Sequence, residues 1–210
     1  MGKLQGGILG TMTGKVGGVV GSTWKDKNTL RSYRSSIAVS QTAASVQARN
    51  AFASAVGLTL KISGALARPF WQRFEKSMSG YNALLSSVRK SFTNAGVFVP
   101  TDLVISKGKM EETTFTAKVV SGGVLRIEWD TTTGGYKLNN DLPVLVVINQ
   151  DGSLAKAFDN VALNATRATG GVELPLSEWV VGIDGHAYLA FRRADGSMVS
   201  NSSYATIVAA

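Results

Sequence analysis

The hydrophobic period of the chain changes near residue 103, and that change limits what the chain can fold into. Before it, Trp71, Phe74, Met78, Tyr81, Leu85, Val88 and Phe92 follow one another at intervals of 3, 4, 3, 4, 3 and 4. An apolar residue every 3.5 positions lays one seam along an α-helix, here over about six turns. After it, apolar and polar residues alternate in short runs, the period of strands with one buried face. Candidate strands are 103–107, 114–120, 123–129, 143–149, 153–158, 171–176, 186–193 and 197–207, separated by glycine-bearing turns such as Asp151-Gly152, Asp184-Gly185 and Asp195-Gly196. The fold class is α+β. Short strands with regular turns predict an antiparallel immunoglobulin/fibronectin-like β-sandwich over residues 96–210. The chain has no cysteine, so the sandwich is fibronectin-like rather than antibody-like, with Trp129 filling its core.

Residues 41–95 read as a helical hairpin. Its first helix, 41–63, is rich in alanine, with Ala48, Phe52 and Ala55 as an apolar stripe and Ser40 or Thr42 as the N-cap. Pro69 suits the first turn of the second helix. Gly80 interrupts the seam and either weakens the helix or admits a close partner. The seam packs on the first helix, as short connections favour, or is shared between subunits.

Residues 1–40 form the third segment. Eight glycines stand in the first 21 positions, with Leu4, Ile8, Leu9, Met12, Val16, Val19 and Val20 among them. Glycine leaves a backbone mobile unless something orders it. The stretch is therefore read as an assembly arm that docks on neighbouring subunits through Gly7, Gly10, Gly14, Gly17, Gly18, Gly21 and Trp24. Residues 18–35 read as a β-hairpin turning at Asp26-Lys27-Asn28; residues 1–17 are a loop, a further strand, or an arm ordered only in an assembly. Lys15, Lys25, Lys27, Arg31 and Arg34, with Trp24 and Tyr33 interleaved, have the chemistry for polyanion contacts.

Charge is polarised along the chain. Residues 1–109 hold 15 Lys+Arg and 3 acids, a net of +12; residues 110–210 hold 7 and 11, a net of −4. The positive half suits nucleic acid or the acidic half of another copy.

Catalytic and cofactor chemistry finds little support. His186 is the only histidine and sits in a predicted strand beside Tyr188 and Phe191. One histidine without cysteine does not make the usual zinc site. Glu111-Glu112 and Glu128-Asp130 lack calcium-loop spacing. Gly10 precedes Gly14 by four residues rather than five and Val16 replaces the hydroxyl residue, so Gly14-Lys15 is not a P-loop. Glycines and Lys15 break every apolar run near the start, so neither a signal peptide nor a membrane span is expected. The expectation is no enzyme, cofactor, metal or small-molecule substrate.

The arm and hairpin (Gly6-Gly7-Ile8-Leu9-Gly10, Gly14-Lys15-Val16-Gly17-Gly18 and Trp24-Lys25), with Leu125-Arg126-Ile127-Glu128-Trp129-Asp130, Val144 to Val147, Tyr188 to Phe191 and Asp195-Gly196, resemble a domain-of-unknown-function family of short proteins from Bacteroidota and their mobile elements. The resemblance spans the chain and departs at Ser35-Ser36-Ile37-Ala38-Val39-Ser40, which stands in place of a proline-rich connection. It implies a bacterial or phage source and no catalytic residues. The expected function is a noncatalytic, self-assembling structural protein: a phage or prophage virion component, made in the host cytoplasm and partnered by itself and other structural proteins. A nucleic-acid-binding protein and a surface adhesion module are the alternatives.

Overall fold

A computed structural model describes residues 3–5, 11–24, 27–35, 41–72, 78–120, 124–175 and 185–209. The chain divides into two compact units, Met1–Gln41 and Thr42–Ala210. Phe74, Gly7, Gly10 and Lys25 lie outside the described residues, as does the side chain of Trp24.

The larger unit starts with α1, Ala43–Leu66, whose N-cap Thr42 accepts a hydrogen bond from the Ser45 N–H. Its buried stripe is Ala51, Ala55, Leu58, Ile62 and Leu66. That differs from the expected stripe: Ala48 and Phe52 are exposed, and only Ala55 is shared. The helix runs on into a π-helical turn, Ala67–Gln72. Pro69 sits inside this turn, where its missing N–H breaks the i→i−4 ladder. It thus closes the first helix rather than opening the second.

Helix α2, Gly80–Lys90, starts afresh from Ser79, whose hydroxyl accepts the Asn82 N–H at 3.2 Å. The single six-turn seam is therefore split between two elements. Gly80 explains the break. A β-carbon there would overlap the Ala67 carbonyl oxygen and lie 2.6 Å from the Gln72 nitrogen. The start of α2 is pressed against the end of α1, and the Gly80 N–H donates to Gln72 Oε1 at 2.6 Å. The buried face of α2 becomes Gly80, Ala83, Leu84 and Val88, one position off the predicted seam for most of its length.

Seven strands follow: β5 Phe115–Val120, β6 Val124–Trp129, β7 Leu142–Asn149, β8 Ala155–Phe158, β9 Gly171–Pro175, β10 Gly185–Arg192 and β11 Ser203–Ala209. They join in one hydrogen-bonded order, β8-β7-β10-β11-β5-β6-β9, antiparallel except for β11–β5. Two expected strands differ. Residues 103–107 make no strand ladder: Ser106 Oγ donates to Ser200 O at 2.6 Å, and the Ile105 N–H donates to Ser202 Oγ at 3.3 Å. The same serines delay the last strand to residue 203, because their hydroxyls take backbone bonds that a ladder would use.

Parity along β7 and β10 divides the core. Val144, Val146, Ile148, Tyr188 and Ala190 face α1 and α2 together with Leu58, Ile62, Leu84, Val88 and Phe92. Leu145, Val147, Ala187, Leu189 and Phe191 meet Ala117, Leu125, Ile127, Trp129 and Leu174 on the other side. The sheet curls, so that β5, β6 and β9 return over β7 and β10. With both faces covered, β10 is buried along most of its length.

A buried ion pair closes one end of the curl. Arg167 and Asp141 have no exposed side-chain surface, and Arg167 Nε donates to Asp141 Oδ2 at 3.2 Å. Arg167 Nη1 donates to Thr113 Oγ1 at 2.7 Å, and Cζ lies 4.0 Å from the centre of the Phe191 ring. Trp129 Nε1 donates to the Arg167 carbonyl at 2.9 Å. Burial pushes the Arg167 pKa down, against the upward pull of Asp141.

The smaller unit is a four-stranded antiparallel sheet in chain order: β1 Lys3–Gln5, β2 Thr11–Val16, β3 Val19–Trp24 and β4 Lys27–Ser32. The hairpin expected over 18–35 is present as β3–β4, closing at Trp24↔Lys27, so Lys27 and Asn28 are paired residues of β4 rather than part of the turn. The glycine-rich arm is not a free strap. Among its described residues, it pairs as β2 on β3 and as β1 on β2, so its order comes from its own chain.

Candidate functional site: the two faces of the N-terminal sheet

Cross-strand partners share a face, and the register sorts the N-terminal sheet into two unlike surfaces. Lys15 pairs with Val20, and Val20 with Arg31, so these three form one row across β2, β3 and β4. The next row on that face is Ser22 and Thr29, whose hydroxyls are 2.7 Å apart. Lys27 follows two residues further along β4. It stands about 13 Å from Arg31, at 3.3–3.4 Å per residue. Tyr33 continues β4 past Ser32; its N–H donates to the Gly18 carbonyl at 2.7 Å. Lys15 Nζ lies 3.3 Å from the centre of the Tyr33 ring. Val20, Arg31, Ser32, Tyr33 and Arg34 line a depression of about 480 Å³ beside it.

The opposite face carries the apolar residues Val16, Val19 and Leu30, with Ser32 and the Thr23–Asn28 pair beside them. Val16 pairs with Val19, and Gly21 with Leu30. A β-carbon at Gly21 would overlap the Met12 carbonyl, so β2, which bends at Gly14 (φ +90°), crosses close over β3 there. The crossing is fastened by Asn28 Nδ2, which donates to Thr11 Oγ1 at 3.3 Å. Met12 covers Gly21 but leaves Leu30 68 % exposed and Val16 and Val19 at 48 % and 40 %.

The predicted site residues fall as follows. Lys15, Lys27 and Arg31 lie on one face, and Arg34 lines the depression at its end. Gly17 and Gly18 form the two-residue turn between β2 and β3, with Gly17 at φ +57°. The helical seam serves the core of its own chain. Trp71 Nε1 donates to the Ile105 carbonyl at 2.9 Å; Leu85 packs on the helix–sheet core; Val88 and Phe92 are buried in it. Met78 and Tyr81 are half-buried. Leu30 and the Ser22–Thr29 pair were not singled out from sequence. Alternation within 27–32 is the signal that finds them once the register is known.

His186, on β10, has Nδ1 3.1 Å from the Tyr204 hydroxyl of β11, and its ring packs against Phe98 and Tyr204. Among the described residues, no three His, Cys, Asp or Glu side chains are grouped to hold a metal. No helix there is long and apolar enough to cross a membrane.

A family model matches residues 11–206, and the chain belongs to DUF6266, a family of unknown function. Comparison with curated proteins and with solved structures finds no match.

Proposed function

We propose that this chain is a noncatalytic, self-assembling structural protein, of the kind that builds a phage or prophage virion, and that its N-terminal sheet docks on a neighbouring copy. The observation that carries the reading is a sheet without a core. Of the side-chain positions described in β2–β4, only Gly21 is buried. Small sheets gain independent stability by packing a hydrophobic face, and this one leaves Val16, Val19 and Leu30 in solvent. Covering a leucine fully contributes about 1.5–3 kcal/mol. Strand β4 is also an edge, exposed at every residue, and its outer row of backbone groups is a template for a further strand.

The occupant is a second copy of the chain. The positive half, net +12 over residues 1–109, complements the net −4 of residues 110–210, and a chain of opposite ends assembles head to tail. The C-terminal module is read as an immunoglobulin/fibronectin-like sandwich. Its strand order supports this: β8-β7-β10-β11 and β5-β6-β9 make two antiparallel sets, with the parallel β11–β5 pairing at the join. Their inner faces share one core. Such modules present recognition surfaces, an argument from fold analogy alone.

Light scattering on the full chain, from micromolar to near-millimolar concentration, tests the reading. Species larger than a monomer are expected, and Leu30→Asp reduces them to monomer. A full-length monomer throughout that range overturns it.

A further inference from the structure

We infer that the cationic face of the N-terminal sheet, Lys15, Lys27 and Arg31 with Tyr33, binds single-stranded nucleic acid. This is the face opposite Leu30, so the inference stands apart from the docking of neighbouring copies. Three observations carry it. First, the register puts the cations on one surface: Lys15 and Arg31 flank Val20 in one row, and Lys27 stands further along the same strand as Arg31. Phosphates along an extended strand meet such a row without the protein having to rearrange.

Second, the charge is uncompensated within the unit. Residues 1–41 contain six Lys+Arg and one acid, Asp26. The described residues of the unit include no carboxylate side chain, and neither ion pair among the described residues involves this face. A net charge of +5 on a small sheet sets a field that attracts a polyanion.

Third, the face carries a stacking group where the cations converge. Tyr33 is 44 % exposed, holds Lys15 Nζ 3.3 Å from its ring centre and borders the 480 Å³ depression with Val20, Arg31 and Arg34. An aromatic ring among cations, beside an apolar floor, is what a base and its phosphate require together. An acidic protein surface would use the charges but not the ring. A four-stranded sheet is wider than the two-stranded ribbon that a major groove admits, and this favours a single strand.

The test is fluorescence anisotropy of the full chain with a labelled thymidine 20-mer, a duplex of the same length and polyglutamate as competitor, over a range of salt. The single strand is expected to bind more tightly than the duplex, with affinity falling as salt rises. Each phosphate contact contributes a log–log slope of about −0.7. Lys27→Gln and Arg31→Gln each reduce that slope by about one such step. Tyr33→Ala weakens binding roughly 5- to 150-fold, the range for loss of one stacked base, and Tyr33→Phe restores it. These side chains are exposed, and an unchanged circular dichroism spectrum verifies folding in every variant. Leu30→Asp is expected to retain binding, so loss of assembly and loss of binding are read separately. Absence of binding at low salt, affinity indifferent to Arg31→Gln and Tyr33→Ala, or equal competition by polyglutamate overturns the inference; the last result assigns the face to acidic protein.

Discussion

Asp141→Asn removes the negative partner of a guanidinium that has no exposed surface while preserving the shape of the side chain. Arg167 would keep its bond to Thr113 and its contact with Phe191, but its ion-pair partner would be gone, leaving the weaker pull of Asp130. Breaking a buried pair by removing one partner costs about 3–5 kcal/mol, because the surviving charge stays desolvated. Arg167→Met should cost a similar amount, since it leaves Asp141 with the Leu138 N–H as its remaining donor. The double variant, Arg167→Met with Asp141→Leu, removes both charges. It orphans the buried Thr113 Oγ1, at about 1–3 kcal/mol, and frees the Leu138 N–H, which sits at an exposed residue where water can take the bond. The double variant should therefore fall short of the sum of the single variants by at least about 3 kcal/mol. Urea unfolding followed by circular dichroism measures this, with near-ultraviolet ellipticity reporting on Trp129, whose indole bonds the Arg167 carbonyl. At about 2–4 °C per kcal/mol for a domain of this size, each single variant should lower Tm by about 6–20 °C. Strict additivity, or a cost under about 1 kcal/mol for Asp141→Asn, refutes the reasoning.

Two further outcomes follow from the packing. Tyr188→Phe removes a phenol that donates to the Pro100 carbonyl at 2.8 Å, and should cost about 0.5–1.5 kcal/mol in urea titration at neutral pH. Burial also pushes the Tyr188 pKa far above the ordinary phenol value. Its contribution to stability is therefore intact below pH of about 10 and falls as pH rises beyond it, where the unfolded phenol ionises; Tyr188→Phe should flatten that alkaline decline. Gly80→Ala places a methyl against the Ala67 carbonyl and Gln72 backbone, and should lower stability by about 1–3 kcal/mol, although alanine is the better helix former.

How much of this was legible depended on whether local period or register decided the outcome. Helix α1 announced itself through Thr42 and its alanine-rich run, but the sequence favoured Phe52 for the core, and the helix turns Leu58 and Ile62 inward instead. The 3–4 repeat from Trp71 to Phe92 does not make one helix: Pro69, Ser79 and Gly80 divide its described residues between two elements, and α2 buries Leu84 where the repeat expects Leu85. Strands β6, β7 and β10 are visible as alternating or continuous apolar runs. Residues 103–107 carry the same pattern, but serine hydroxyls bind them instead of a ladder. A buried arginine is unreadable from sequence, because nothing local distinguishes Arg167 from a surface cation. The basic residues of the N-terminal segment were readable as a set. Their division from Leu30, Val16 and Val19 was not, since it depends on the Gly17-Gly18 turn aligning Lys15 with Val20 and Arg31.

The central claim is that a second copy completes the N-terminal sheet, and amide hydrogen exchange along β4, Lys27–Ser32, tests it most directly. Protection of those amides should rise as the protein is concentrated, and Leu30→Asp should hold it at the dilute value. Exchange along β4 that is the same at every concentration contradicts the claim.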